Sequence, residues 1–239
     1  MATTLPPSLQ PGPMDWTMAD VQQRLDGIPA ERIRTFPAPG TATEEDVLKV
    51  MARTDRICEL VDGILVEKVM SSFESRLACI LIYLIETFLD DHDMGVVLSG
   101  DGFLKLFPGL IRVPDVSFIR WERFPNDEFP KDAIWPVAPD LAVEILSKGN
   151  TEREMQRKVR EYFKAGASRV WLVDPQSRTA RIFTSPRRFA LVDENSQLDA
   201  GDLLPGFELS LKEWLARAQR RTPRRKRKKG RRGSEKAPG

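Results

Sequence analysis

Histidine is almost absent from this chain of 239 residues: the single one, His92, lies in the polar stretch Asp90–Gly95. A Ser-His-Asp hydrolase would have to use it, and nothing in the sequence sets it beside a serine, so it reads as a surface residue. Cysteine is scarce too. Cys58 and Cys79 sit in separate apolar stretches with no metal-type spacing. Zinc chemistry, which usually recruits several His or Cys ligands, is therefore not expected. The thiols read as reduced core groups of a cytoplasmic protein. Long apolar runs are missing: Leu77–Ile85 falls well short of the roughly 18 residues of a membrane span and reads as part of a buried helix. No basic segment followed by an apolar one marks the N-terminus, so no secretory signal is expected. Gly100-Asp101-Gly102 lacks the further glycines and the Lys-Ser/Thr pair of a phosphate loop, which argues against nucleotide-dependent chemistry.

What is present is a core-forming composition, 41% apolar, and an uneven distribution of charge. The net charge of +2 hides twelve Lys/Arg against one acid from Arg217 onward, a balance of +11, which leaves −9 for residues 1–216. Three segments follow: a proline-rich leader at 1–41, a single α/β domain at 42–216, and a basic, disordered tail at 217–239. The leader reads as loose, with one short helix over Met18–Leu25 capped by Thr17. Thr43 and Asp46 open a second helix. Cys58–Glu67 reads as a hairpin turning at Asp62-Gly63. A long central helix covers Ser72–Asp90, with Glu74 as a first-turn charge facing the helix dipole. Strands follow at Met94–Leu98 and Gly102–Leu106. Trp121–Pro136 is a polar loop long enough to cover a site. Thr151 and Glu154 form a capping box for a helix to Ala165, with Met155, Val159, Tyr162 and Phe163 on one stripe. Because Val170–Val173 is again a strand, residues 141–173 form a βαβ unit with parallel strands.

Two strand-like runs carry the chemistry. Val113–Ile119 contains Asp115, and Ala138–Leu146 is apolar but for Asp140 and one interior carboxylate, Glu144. An ionised carboxylate inside a doubly buried strand costs several kcal/mol or more unless a cation or hydrogen bonds compensate it, so Glu144 requires a partner. If the two strands are neighbours, Asp115 and Glu144 converge on one divalent ion, since hard cations are held by one or two carboxylates plus water and phosphate oxygens.

Pro114-Asp115, Glu144 in Val-Glu-Ile-Leu-Ser, the following helix with Lys158 and Tyr162, and the Trp171-Leu-Val-Asp-Pro175 strand together resemble the Uma-type family of restriction endonucleases, a branch of the PD-(D/E)XK superfamily. The likeness runs from about Thr43 to Leu215 and includes Glu59-Leu-Val-Asp-Gly63, Ala165-Gly166 and Leu204-Pro-Gly-Phe207. It implies a restriction-endonuclease-like core, a mixed β-sheet flanked by helices. It also implies a catalytic set of Glu59, Asp115, Glu144 and Lys158, with Asp115 and Glu144 binding Mg²⁺ or Mn²⁺ and DNA as substrate. The superfamily often works as dimers, so a homodimer is the implied assembly, although no dimer surface is legible. The usual lysine two residues after the acid is replaced here by Leu146. Lys158 fits the position to which this branch moves it, and Lys148 is the competitor. That departure keeps open a degenerate nuclease-fold module that binds DNA through its basic tail without cutting it. A hydrolase using Asp115 and Glu144 as a metal-free proton-transfer pair is the third reading.

Overall fold

Asp62 and Gly63 both adopt positive φ, 52° and 72°, the conformation a two-residue hairpin turn requires. A Cβ on Gly63 would lie 2.6 Å from the Gly40 backbone, so this turn also admits the close approach of the preceding segment. The computed structural model describes residues 15–220, apart from the side chain of Asp127. It opens with helices α1 (Met18–Arg24) and α2 (Glu44–Arg53), the hairpin β1 (Cys58–Val61) and β2 (Ile64–Glu67), and the long helix α3 (Ser72–Leu89). Strands β3 (Gly95–Ser99), β4 (Phe103–Phe107), β5 (Leu110–Arg112), β6 (Val116–Arg120), β7 (Ile134–Trp135) and β8 (Leu141–Ile145) follow. Helix α4 (Glu152–Lys164) leads to β9 (Arg169–Asp174), β10 (Thr179–Ser185), β11 (Arg188–Val192), β12 (Gln197–Asp199), β13 (Glu208–Ser210) and helix α5 (Leu211–Gln219).

The strands divide between a six-stranded sheet, β11-β10-β9-β8-β6-β3, a five-stranded sheet, β2-β1-β5-β4-β7, and the small β12-β13 pair. In the larger sheet β8 and β9 run parallel, joined through α4 as a βαβ unit, while β6 pairs antiparallel with β8. Alternation along the strands decides what each helix covers. Val116, Phe118, Leu141 and Val143 face α3 in one core with Leu77, Leu81 and Ile85. Ile119, Ala142, Val170 and Leu172 face α4, against Met155, Val159 and Tyr162. Glu144 lies two residues beyond Ala142 and so belongs to the α4 side.

Two sequence expectations change. The leader carries the expected helix with its Thr17 cap, but it is not loose from there on. Val21, Leu25, Ile28 and Ile33 are buried against Val61, Ile64 and Val66, because their apolar side chains complete the outer face of the β1-β2 hairpin. The Trp121–Pro136 stretch is not all loop, since Ile134 and Trp135 pair with β4 as β7. Its Arg123 pairs with Asp140 at 2.9 Å, just before β8, and donates to the Gly166 carbonyl that follows α4. The basic run 224–229 lies outside the described residues.

Candidate active site

The register of β6 against β8 pairs Val116 with Val143 and Ser117 with Ala142, each pair of numbers summing to 259. Asp115 lies in a bend just before β6, where its backbone N–H donates to the Val143 carbonyl at 3.0 Å, and its carboxylate reaches the Ile145 N–H, next to Glu144. Glu144 faces α4, Asp115 stands beside it at the strand end, and each is buried, 4% and 5% exposed. The partner that Glu144 required is Lys158, which reaches down from α4 to Glu144 Oε1 at 3.0 Å. The same ammonium donates to Glu59 Oε1 at 3.0 Å, and the Tyr162 hydroxyl donates to Glu144 Oε1 at 2.6 Å. Lys158 and Tyr162 are four residues apart, so they stand one above the other on the same face of the helix.

Glu59 comes from the other sheet, on β1, and is fully engaged. Its Oε1 also accepts from the Val113 backbone N–H at 3.1 Å, and its Oε2 accepts from Arg112 Nη1 at 2.6 Å. Arg112 in turn donates to Glu161. Asp115 is likewise engaged on both oxygens. Oδ2 accepts from the Ile145 backbone N–H at 2.6 Å, and Oδ1 lies 2.8 Å from the ammonium of Lys68. Glu144 Oε2 is the carboxylate oxygen of the three acids that accepts no hydrogen bond among the described residues. Lys148 is exposed in the turn after β8 and takes no part. Glu74 caps α3 through the Ser71 N–H at 2.5 Å.

Burial drives the electrostatics. Desolvation raises the Glu144 carboxyl above the usual range; Lys158 opposes this, while Asp115 and Glu59 add to it. For Glu59 burial would also push upward, yet the charges of Lys158 and Arg112 and the Val113 N–H outweigh it, and the carboxyl is held well below the usual range. Desolvation would lower Lys158, but Glu144 and Glu59 overcome it and the ammonium is held charged above its ordinary value. Burial raises the Tyr162 phenol, with Glu144 adding to it, so the hydroxyl remains a donor.

Sequence reasoning missed Lys68, Arg112 and Arg32. Arg112 interrupts the apolar run Ile111–Val113 as Glu144 interrupts its own, so the same argument could have flagged it. Arg32 is buried in a bidentate pair with Glu154 at 2.9 and 2.8 Å and donates to the carbonyls of Gly149 and Glu67. It ties the leader to the start of α4, and nothing local announced it.

Two clefts flank the cluster. One, of about 540 Å³, is lined by Phe73, Leu146, Lys148 and Asn150 among others; a second, of about 420 Å³, is lined by Arg56, Lys68, Ser75 and Ser99 among others, with Met70 common to both. Asp115 and Glu144 line neither and lie beneath the side chains that do. Cys58 precedes Glu59, is 1% exposed, and burial pushes its thiol up to about 11. Cys79 is exposed. Iodoacetamide at neutral pH is therefore expected to alkylate Cys79 alone, with Cys58 reacting only on unfolding, as peptide mass spectrometry would report. Modification of Cys58 in the folded protein would contradict the closed packing around Glu59.

Mixed sheets flanked by helices, with acids and a lysine drawn onto one sheet end, define a protein of the restriction-endonuclease-like fold. Residues 45–212 match the Uma2 family, described as "Putative restriction endonuclease", and the chain belongs to that family. A solved structure described as a "putative nuclease belonging to DUF820", from Anabaena variabilis ATCC 29413, superposes with a TM-score of 0.61 at 19% identity, covering 69% of this chain and 93% of the other. No curated protein matches the chain. The family assignment supports a nuclease function.

Proposed function

We propose that the chain is a Mg²⁺- or Mn²⁺-dependent endonuclease that hydrolyses phosphodiester bonds of DNA. The observation that carries this reading is the nearness of two buried acids, Asp115 held on the Ile145 N–H beside Glu144, with Lys158 held on Glu144. The donor set fits a hard cation. Two carboxylates are neighbours, Glu144 Oε2 accepts no hydrogen bond among the described residues, and Asp115 Oδ1 already attracts a cationic group. Among the described residues no group of three or more His, Cys, Asp or Glu is placed to hold a metal, so the two carboxylates would have to share the ion with water and phosphate oxygens. Asp115 and Glu144 would hold the ion, which when bound would stabilise charge on the phosphate and lower the pKa of a water.

The chain's own groups do the rest. Lys158 and Tyr162 fix Glu144 through Oε1 and leave Oε2 directed elsewhere. The Ile145 N–H holds Asp115 Oδ2 on the opposite strand. Glu59 has no oxygen to spare and acts as a positioning residue, anchoring Lys158 to the second sheet. On this reading DNA would approach through the clefts beside the cluster, with the basic segment from Arg217 onward adding salt-sensitive attraction to phosphates.

Calorimetric Mn²⁺ titration tests the reading: the wild type is expected to bind, and the Asp115→Asn/Glu144→Gln double variant is not. Chelator-sensitive plasmid cleavage by the wild type is the matching functional result. Leu146 in place of the usual lysine favours the alternative of a DNA-binding module without chemistry. That reading predicts DNA binding with no cleavage under any divalent metal.

A further inference from the structure

Lys68 follows β2, and its backbone N–H donates to the Ile57 carbonyl at 2.9 Å, which fixes where its side chain starts. The side chain is 7% exposed. Its ammonium has three donors and three oxygens around it: Asp115 Oδ1 at 2.8 Å, the Val113 carbonyl at 2.6 Å and the Gly100 carbonyl at 3.4 Å. One carboxylate and two carbonyls form an all-oxygen cup of the kind that holds hard cations. Gly100 makes room for it, since a Cβ there would lie 3.2 Å from Lys68 Nζ and 3.0 Å from Met70 Cε.

We infer that Lys68 is a positioning residue acting as the resident cation of this site: it holds Asp115 in the metal-free protein, and a divalent ion must displace it from Asp115 Oδ1 to grip both acids. The inference rests on the metal-dependent reading above. Asp115 Oδ2 is committed to the Ile145 N–H, so Oδ1 is the oxygen at which ion and ammonium meet. A +1 and a +2 charge in contact in a buried site repel strongly, so one excludes the other. The ammonium also has somewhere to go, because Lys68 lines the 420 Å³ cleft. Metal affinity is thereby held down by an internal competitor, and Asp115 is kept in place until the ion arrives.

The test is Mn²⁺ calorimetry on the full chain as wild type, Lys68→Met and Gly100→Ala. Lys68→Met is expected to bind Mn²⁺ at least about tenfold more tightly, because a charge-assisted bond no longer has to be broken. Gly100→Ala, which crowds the ammonium, is expected to shift affinity in the same direction by less. A purely structural lysine gives the opposite sign, since its loss would loosen Asp115 and weaken binding. Lysine acylation of the wild type, read by mass spectrometry, keeps the inference testable if Lys68→Met fails to fold. Saturating Mn²⁺ is expected to raise labelling of Lys68 severalfold and leave Lys158 protected. Equal or weaker binding by Lys68→Met beside a wild type that binds, or labelling of Lys68 unmoved at saturation, overturns this inference alone. Absence of Mn²⁺ binding in all three proteins overturns it together with the metal-dependent reading.

Discussion

Lys158→Met is expected to lower the free energy of unfolding by about 3–5 kcal/mol, the loss typical when one partner of a buried ion pair is removed. Lys158 is 3% exposed and is shared by Glu59 and Glu144 at 3.0 Å each, so its removal leaves Glu144 with only the Tyr162 hydroxyl. Glu59 fares better because Arg112 and the Val113 N–H remain. The sign with pH follows from the raised ammonium: its stabilisation is fully present below the unfolded value of 10.5 and is lost only as pH rises through the higher folded value. The deficit should therefore be undiminished at pH 7. Urea denaturation of both proteins measures it, and a difference below about 1 kcal/mol would mean that the cluster holds together without its central charge. Adding Glu144→Gln to Lys158→Met should recover part of the loss, since the abandoned carboxylate is then gone.

This shared lysine also marks the limit of what the sequence discloses. Glu144 was legible because a charge in an apolar strand violates a local rule, whereas Lys158 was reached through the family resemblance, its place on the helix alone reading as a solvated lysine. The hairpin at Asp62-Gly63 and the caps at Thr17, Thr43 and Thr151 were legible for a similar reason, as turn and cap chemistry is contained within a few residues. Arg112 and Glu59 are 53 positions apart, and Lys68 and the Val113 carbonyl 45. Such contacts depend on how the hairpin sheet docks against the larger one, and no periodicity encodes that. The division of the strands into two sheets was equally hidden, because β3 and β4 read as alike in sequence yet pair with β6 and β5 respectively. Arg32 was missed because a basic residue in a proline-rich segment has an ordinary solvated explanation, which its pairing with Glu154 overrules.

Glu144→Gln separates stability from activity. Burial, with Asp115 and Glu59 adding and Lys158 opposing, raises the Glu144 carboxyl, so the folded protein keeps its proton to higher pH than the unfolded chain does. A raised carboxyl contributes stability that is present below the unfolded value of 4.5 and lost as pH rises through the folded value. Glutamine does not ionise, so it keeps that contribution as pH rises. The variant is expected to melt at or above the wild-type temperature at pH 7, with the advantage vanishing toward pH 4. Glu59, held low, works in the other direction: its stabilisation is present above 4.5 and fades as pH falls, equally in both proteins. Cleavage is expected to fall by at least about a hundredfold, since several kcal/mol of charge stabilisation at the phosphate would go with the ion. Melting scans across pH beside chelator-controlled plasmid assays read both arms. A variant that melts well below the wild type at pH 7 would assign Glu144 to the fold's own ion pairing. One that keeps full cleavage would remove it from the chemistry. The expected combination, a more stable protein that no longer cuts, is what a carboxylate retained for an ion rather than for the fold should show.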